Sequence, residues 1–89
     1  MTHADHYQSL ERMYLAGPIN QVFKPRIVVW KENAEIEIEV KPSYFHSAGA
    51  VHGAVYFKML DDAAFFAANS IEVDYFVLTQ SFTTHLYRP

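Results

Sequence analysis

The alternation of apolar and polar positions predicts a β-hairpin in the first half of the chain. Residues 26–30 form a largely β-branched run, and residues 35–40 alternate strictly between glutamate and an isoleucine or valine. Residues 31–33 lie between these runs and form the expected tight turn. We therefore predict an antiparallel pair of strands with one apolar face and one face in contact with water.

Helical periodicity predicts two helices around this hairpin. In residues 7–15 the side chains of Tyr7, Leu10 and Tyr14 fall on one stripe, and the Gly-Pro pair that follows ends the helix. Residues 51–69 contain no proline and are rich in alanine, methionine, leucine and phenylalanine, so we predict a second, longer helix there.

The longer helix is apolar around most of its circumference. Its only charged residues are Lys58, Asp61 and Asp62, which are three and four residues apart and form one narrow polar stripe. We expect protein, such as a curved sheet, to surround a helix of this kind. The alternative to a functional role for these charges is an ordinary pair between Lys58 and either aspartate on a solvated stripe.

Residues 75–86 alternate again and predict a third, long strand. The order helix, strand, strand, buried helix, strand indicates an α+β fold in a single domain that spans residues 1–89. Residues 1–20 form an N-terminal helical segment of that domain, and residues 21–89 form its core. A helix of about 18 residues is roughly 27 Å long, which three strands do not surround easily. We therefore expect further strands to be missing or to come from another chain.

Composition narrows the classes of function. A net charge of −3 and a pI near 5.9 argue against a nucleic-acid partner, which requires clustered Lys and Arg. The absence of cysteine excludes disulfides, cysteine-ligated zinc and thiol nucleophiles. No apolar run approaches the length of a membrane span, and no signal-peptide pattern precedes the first helix. We expect a soluble cytoplasmic protein that has no membrane partner.

The loop from His46 to His52, followed by Gly53 and by Asp61 two turns into the long helix, resembles the signature of PaaI-like hotdog thioesterases, in the 4-hydroxybenzoyl-CoA thioesterase superfamily. In that family a loop ending in His-Gly-Gly opens the central helix, and an acidic residue follows two turns later; His52, Gly53 and Asp61 match these positions. The last residues of the chain, 79–89, resemble the family's next strand. The resemblance covers residues 22–89 and implies a hotdog fold, an antiparallel sheet wrapped around a long central helix, here without its C-terminal strands.

Two positions depart from the family pattern. His46 stands where many relatives carry an asparagine that helps to hold the thioester, and Ala54 replaces the second glycine of the motif. The resemblance implies an acyl-CoA thioesterase that assembles as a homodimer or homotetramer, with a coenzyme A thioester as substrate and no cofactor. No metal site is predicted, because His46 and His52 lack the spacing of helical metal ligands.

Thioester hydrolysis needs an activated water or a carboxylate nucleophile, and donors for the carbonyl oxygen as it becomes negative. The first amide groups of the long helix, that of Gly53 among them, can supply the donors. The resemblance assigns Asp61 as general base or nucleophile and Thr79 as the hydroxyl that helps to orient the water. It assigns substrate binding to His46, His52 and Ala54.

Each assignment has a structural alternative. Gly53 can simply ease helix packing, Thr79 can be an ordinary strand threonine, and His46 can be a loop histidine with satisfied hydrogen bonds. Three cations are candidate contacts for the coenzyme A phosphates, with solvated surface charge as their alternative: Lys41, Lys58 and Arg88.

The spacing of the two proposed catalytic groups constrains the assembly. Asp61 lies eight residues after Gly53, about 12 Å along the helix axis, so one substrate carbonyl cannot touch both groups of the same chain. We expect Gly53 of one subunit and Asp61 of another to meet at a shared interface.

The expected function is hydrolysis of a small or aromatic acyl-CoA thioester. One alternative is a truncated hotdog module that is not catalytic and that self-associates or binds acyl ligands. A hotdog dehydratase is disfavoured, because such sites pair a catalytic histidine with an acid in a different arrangement. A serine hydrolase is disfavoured because the chain has no Gly-x-Ser-x-Gly elbow.

Overall fold

The computed structural model of the 89-residue chain describes residues 2–72. Its elements, in chain order, are α1 (His3–Ala16), α2 (Asn20–Phe23), β1 (Arg26–Trp30), β2 (Asn33–Glu37), a short 3₁₀ helix (Pro42–Tyr44) and α3 (Gly53–Asn69). The strand predicted at residues 75–86 lies outside the described residues.

Helix α1 begins four residues before the start predicted from its apolar stripe. The Asp5 amide donates to Thr2 Oγ1 at 3.1 Å, and the Thr2 amide donates to Asp5 Oδ2 at 3.2 Å. This reciprocal pair is a capping box, which satisfies amides that lack an intrahelical partner. The hydrogen bonds from Thr2, first that of its backbone amide, hold the pKa of the Asp5 carboxyl below its usual value. The predicted start at residue 7 was wrong because the cap lies outside the apolar stripe.

Strands β1 and β2 form the predicted antiparallel hairpin, with Val29 opposite Ala34 and Arg26 opposite Glu37. The second strand is shorter and earlier than the predicted residues 35–40. Pairing stops at Glu37 because β1 starts at Arg26, directly after Pro25, which has no amide hydrogen to extend the ladder. The alternation that continues to residue 40 therefore extends beyond the part of the chain that pairs with β1.

The hairpin turn consists of Lys31 and Glu32 rather than the three residues predicted. Glu32 has a φ of 61°, the left-handed conformation that residues with a side chain adopt at a cost. Its amide donates to Ser70 Oγ at 2.7 Å, and the Ser70 hydroxyl donates to the Ala67 carbonyl at 2.7 Å. The turn is thereby attached to the end of α3.

Helices α1 and α3 pack against the apolar face of the hairpin. The buried core consists of Leu10, Tyr14, Val29 and Phe66. The Tyr14 and Phe66 rings meet edge to face, with centroids 5.0 Å apart, and so join the two helices directly. The α+β class is confirmed, and a two-stranded antiparallel sheet packed on a long helix is compatible with part of a hotdog fold.

Helix α3 begins at Gly53, two residues later than predicted, because His52 is its N-cap. One side of this helix packs against the hairpin, but Phe57 and Leu60 are 42% and 48% exposed. Within residues 2–72, therefore, the hairpin covers one side of the helix, and the strand expected to extend the sheet lies outside these residues. Within residues 2–72, no helix is long and apolar enough to cross a membrane.

Candidate active site around helix α3

The N-terminus of α3 leaves one amide group available. The His52 ring caps the helix by accepting the Ala54 amide at its Nδ1 atom, at 3.0 Å, and the His52 carbonyl accepts the Val55 amide at 2.9 Å. The Gly53 amide has no hydrogen-bond partner within residues 2–72. An unpaired amide at a helix N-terminus, where the helix dipole is positive, can donate to an oxygen that develops negative charge.

The loop before α3 brings the two predicted histidines together. An isolated bridge between Phe45 and Val51 closes the loop, and the His46 amide donates to the Ala50 carbonyl at 2.9 Å. Gly49 turns the chain with a φ of 83°, in the left-handed region that glycine adopts easily. The rings of His46 and His52 consequently lie with centroids 6.5 Å apart.

The hydrogen bonds of the two rings fix their neutral tautomers. His46 Nδ1 accepts the Ala48 amide at 3.0 Å, as His52 Nδ1 accepts the Ala54 amide. A ring nitrogen that accepts carries no proton, so the neutral imidazole holds its hydrogen on Nε2. Both side chains are exposed, and each can therefore present an Nε2 donor to a ligand.

An open cavity of about 400 Å³ lies beside the N-terminus of α3. Its walls come from α2, the 3₁₀ helix and the first turn of α3. The lining residues are Val22, Phe23, Ser43, Tyr44, Phe45, His52, Ala54 and Val55. The Phe23 and Tyr44 rings pack at 4.9 Å between centroids. The cavity has the size and the apolar, aromatic lining that are typical of small-molecule sites.

Asp61 lies two turns further along α3 and carries an unpaired oxygen. Its Oδ1 atom is buried and has no hydrogen-bond partner within residues 2–72. Buried polar atoms are almost always paired in native proteins, because desolvation without a hydrogen bond is costly. An orphaned carboxylate oxygen of this kind is therefore a candidate contact for water or substrate.

The neighbouring Asp62, in contrast, has two partners at its Oδ2 atom. Lys58 Nζ lies 2.6 Å from Asp62 Oδ2, and the Tyr14 hydroxyl donates to the same oxygen at 2.7 Å. Lys58 also donates to Asn20 Oδ1 at 2.8 Å and to Tyr14 Oη at 3.2 Å. Burial, followed by the hydrogen bond to the Asp62 carboxylate and its charge, raises the pKa of the Tyr14 hydroxyl well above its usual value.

This network corrects the sequence-based view of Lys58 as a solvated charge. Only 13% of its side chain is exposed, and its ammonium also lies 5.1 Å from the centroids of both the Tyr14 and the Phe23 rings. All three ammonium hydrogens have acceptors within the protein. Lys58 is therefore not available to bind a phosphate of coenzyme A.

The structure brings some of the predicted site residues together and separates others. His46, His52, Gly53 and Ala54 lie at one end of α3, and Asp61 lies two turns away on the same helix. Thr79 and Arg88 lie outside the described residues, and no group of side chains suited to a metal ion occurs within residues 2–72.

Sequence reasoning missed the contributions of the N-terminal segment. Tyr14 was recognised only as a member of an apolar stripe, and Asn20 lies in a helix of four residues that is too short to show periodicity.

The aromatic lining of the cavity was missed as well. Its residues lie in short or irregular segments with no signal in the apolar pattern: Phe23, Tyr44 and Phe45. Only the three-dimensional structure shows that these side chains meet α3.

Comparison with known proteins supports a relationship for the second half of the chain. The sequence model of the thioesterase superfamily matches residues 48–89, which include all of α3. Searches of curated proteins and of solved structures gave no match. The match supports a relationship at the level of the superfamily only, and over residues 48–89 the chain is similar to thioesterases.

Proposed function

We propose that this protein is an acyl-CoA thioesterase of the PaaI-like hotdog type that hydrolyses a small or aromatic acyl thioester. The observation that carries the proposal is the pair of unengaged groups on α3. The Gly53 amide at its N-terminus and the Asp61 Oδ1 atom have no hydrogen-bond partner within residues 2–72. A donor and a carboxylate of this kind are sufficient for thioester hydrolysis, because the donor stabilises the carbonyl oxygen and the carboxylate acts as base or nucleophile.

Gly53 supplies the donor for the carbonyl oxygen. When the thioester carbonyl is attacked, its oxygen becomes negative, and an amide at the positive end of a helix stabilises that charge. The neighbouring Nε2 donors of His46 and His52 can bind the same carbonyl or the thioester chain. Because Gly53 has no side chain, the substrate can approach its backbone closely.

Asp61 supplies the carboxylate. As a general base it takes a proton from water while the water oxygen bonds to the carbonyl carbon; the carbon–sulfur bond then breaks, and the proton passes to the coenzyme A thiolate. As a nucleophile its oxygen bonds to the carbonyl carbon, and the carbon–sulfur bond breaks and releases the coenzyme A thiolate; water then hydrolyses the resulting anhydride, and the thiolate takes up the proton that this step releases. Both routes give a carboxylic acid and the free thiol. Thr79, outside the described residues, is proposed to orient the water.

The cavity beside Gly53 suggests the acyl class. A volume of about 400 Å³ holds a short or single-ring acyl group, and the aromatic rings of Phe23, Tyr44 and Phe45 favour flat, apolar groups. His52 and Ala54 line the same cavity, so an acyl group inside it lies next to the Gly53 amide.

Two copies of the chain are needed for one complete site. Gly53 and Asp61 are about 12 Å apart along one helix, so the carbonyl held by one copy is hydrolysed by Asp61 of a second. A two-fold dimer then contains two equivalent sites. The apolar side chain of Leu60, which lies between the two groups on α3 and is 48% exposed, is consistent with such an interface.

The direct test is release of the coenzyme A thiol from a series of acyl-CoA substrates, from acetyl to hexanoyl and from benzoyl to phenylacetyl. Asp61→Asn keeps the shape of the side chain but removes its charge, and we expect kcat to fall by about 10²- to 10⁴-fold. Glu35→Gln is the matched control, because it neutralises an exposed carboxylate on β2. Wild-type activity in Asp61→Asn, or no hydrolysis of any substrate by the wild type, contradicts the proposal.

A further inference from the structure

The N-terminal segment contributes two buried side chains to the centre of α3. Tyr14, at the end of α1, and Asn20, at the start of α2, both accept hydrogen bonds from the Lys58 ammonium, at 3.2 Å and 2.8 Å. Their residues are 5% and 6% exposed. Both lie outside residues 48–89, the part of the chain that matches the thioesterase superfamily.

Two carboxylates on α3 are spaced so that either could form an ion pair with Lys58. Asp61 is three residues further on and Asp62 is four, and both spacings bring side chains into contact on a helix. In the structure Lys58 pairs with Asp62, and the Tyr14 hydroxyl donates to the same Asp62 oxygen at 2.7 Å. Asp61 Oδ1 has no hydrogen-bond partner within residues 2–72.

Tyr14 and Asn20 favour the pairing of Lys58 with Asp62 for a geometric reason. The ammonium contacts the Tyr14 and Asn20 oxygens while it is paired with Asp62, so in this position it satisfies three acceptors at once. Asn20 is itself fixed, because its Nδ2 donates to the Tyr14 carbonyl at 2.7 Å. A move of Lys58 towards Asp61 breaks hydrogen bonds to two buried side chains, which is costly in a site removed from water.

We propose that Tyr14 and Asn20 are positioning residues that hold Lys58 on Asp62 and so keep the Lys58 ammonium away from the Asp61 carboxylate. This inference rests on the proposed role of Asp61 as the base or nucleophile. A cation in contact with a carboxylate stabilises its charged form, which weakens it as a base and occupies the oxygen that must reach the water. The N-terminal segment thereby acts on the Asp61 carboxylate through Lys58.

The other charged side chains near α3 do not serve this purpose. On β2, Glu35 and Glu37 lie on the exposed face, and Glu37 pairs with Arg26 of β1 at 3.2 Å. On α1, the Glu11 carboxylate accepts the Val29 amide. Lys58 is the single cation in the sequence of α3, so its position decides whether Asp61 is paired along the helix.

The test is the pH profile of kcat/KM for a Tyr14→Phe/Asn20→Leu double variant. Tyr14→Phe removes only the hydroxyl, and Asn20→Leu keeps the branched outline and the number of heavy atoms of the side chain; both remove the oxygens that hold Lys58. We expect Lys58 to pair with Asp61, so that the acid limb of the profile moves about one pH unit lower and kcat falls several-fold with little change in KM. The triple variant that also carries Lys58→Met has no cation to capture Asp61, and its acid limb is expected at the wild-type position.

If the two residues have only a structural role, a different result is expected. The double substitution then lowers the melting temperature but leaves the acid limb of the folded variant at the wild-type pH, and this outcome overturns the inference. If the double variant does not fold, Tyr14→Phe alone keeps the ring packing and is expected to shift the acid limb in the same direction. An acid limb at the wild-type pH in that single variant also overturns the inference. Activity that survives Asp61→Asn contradicts the proposed function, whereas an inactive Asp61→Asn variant with an unmoved limb contradicts this inference alone.

Discussion

The Lys58 ammonium lies 2.6 Å from Asp62 Oδ2, and the adjacent Asp61 is left without this cation. The two aspartates differ by one position in sequence, which turns them about 100° apart around the helix. That rotation places Asp62 against the buried Tyr14 hydroxyl. Asp62 therefore joins a buried network, and the Asp61 Oδ1 atom has no hydrogen-bond partner within residues 2–72.

Loss of Lys58 is expected to destabilise the fold. Lys58→Met leaves the partly buried Asp62 without its ion pair and Asn20 Oδ1 without its donor. We expect the free energy of unfolding to fall by about 1–3 kcal/mol, measured by urea denaturation. The matched control is Arg26→Met, whose pair with Glu37 has side chains that are 71% and 70% exposed. Exposed pairs contribute about 0–1 kcal/mol, so equal losses in the two variants contradict our account of the network.

Alkaline pH is expected to weaken the fold through Tyr14. Because its pKa is raised in the folded chain, the folded state holds the hydroxyl proton at pH values where the unfolded chain, with a pKa near 10.0, has lost it. This contribution to stability is complete below pH 10 and is lost progressively as the pH rises above it. Tyr14→Phe lacks the proton and is expected to show a shallower decline in melting temperature between pH 9 and pH 11. Parallel declines in the two proteins are the result that counts against this interpretation.

The edge of β1 offers a separate test of stability. The Val29 amide points away from β2 and donates to Glu11 Oε2 at 2.8 Å, so a side chain of α1 satisfies a backbone group at the sheet edge. Glu11→Ala leaves this amide unpaired, and we expect a loss of about 1–3 kcal/mol in unfolding free energy. Glu35→Ala, on the exposed face of β2, serves as the control and is expected to change stability by less than about 0.5 kcal/mol. A similar effect of the two replacements speaks against a role for Glu11 at the edge.

The apolar pattern was sufficient to predict the hairpin and the long helix, because both bury one face of a regular element. It did not predict where they end. Strand β2 stops at Glu37 because its partner β1 has no further residue to pair, and α1 starts at His3 because of a capping box among polar residues. These boundaries depend on tertiary pairing and local hydrogen bonds, which periodicity does not record.

The candidate site was predictable only where it is local in sequence. The His52-Gly53 pair at the start of α3 follows from helix-capping chemistry and the family resemblance. The sequence did not predict which of the two aspartates pairs with Lys58, since both spacings are favourable on an isolated helix. Tyr14 and Asn20 decide it, and they lie 44 and 38 residues away in sequence from Lys58.

The Gly53 donor can be tested by a change that removes its amide hydrogen, with Gly53→Ala as the control for an added side chain. Gly53→Pro places proline at the first position of α3, where its fixed φ suits a helix start, and His52 already has the extended backbone that a following proline requires. No hydrogen bond within residues 2–72 is lost. We expect kcat to fall by about 10²- to 10³-fold with an unchanged melting temperature, whereas Gly53→Ala keeps the amide and loses far less. Equal activity of the two variants argues against the amide as donor.

Mixing two inactive variants tests the shared site most directly. Asp61→Asn and Gly53→Pro chains are unfolded together, refolded and assayed, with native mass spectrometry to confirm mixed dimers. If Gly53 of one copy works with Asp61 of the other, each mixed dimer regains one intact site, and the mixture recovers roughly a quarter of wild-type activity by random pairing. If mixed dimers form and the activity stays at the level of the separate variants, a site built across two copies of α3 is contradicted.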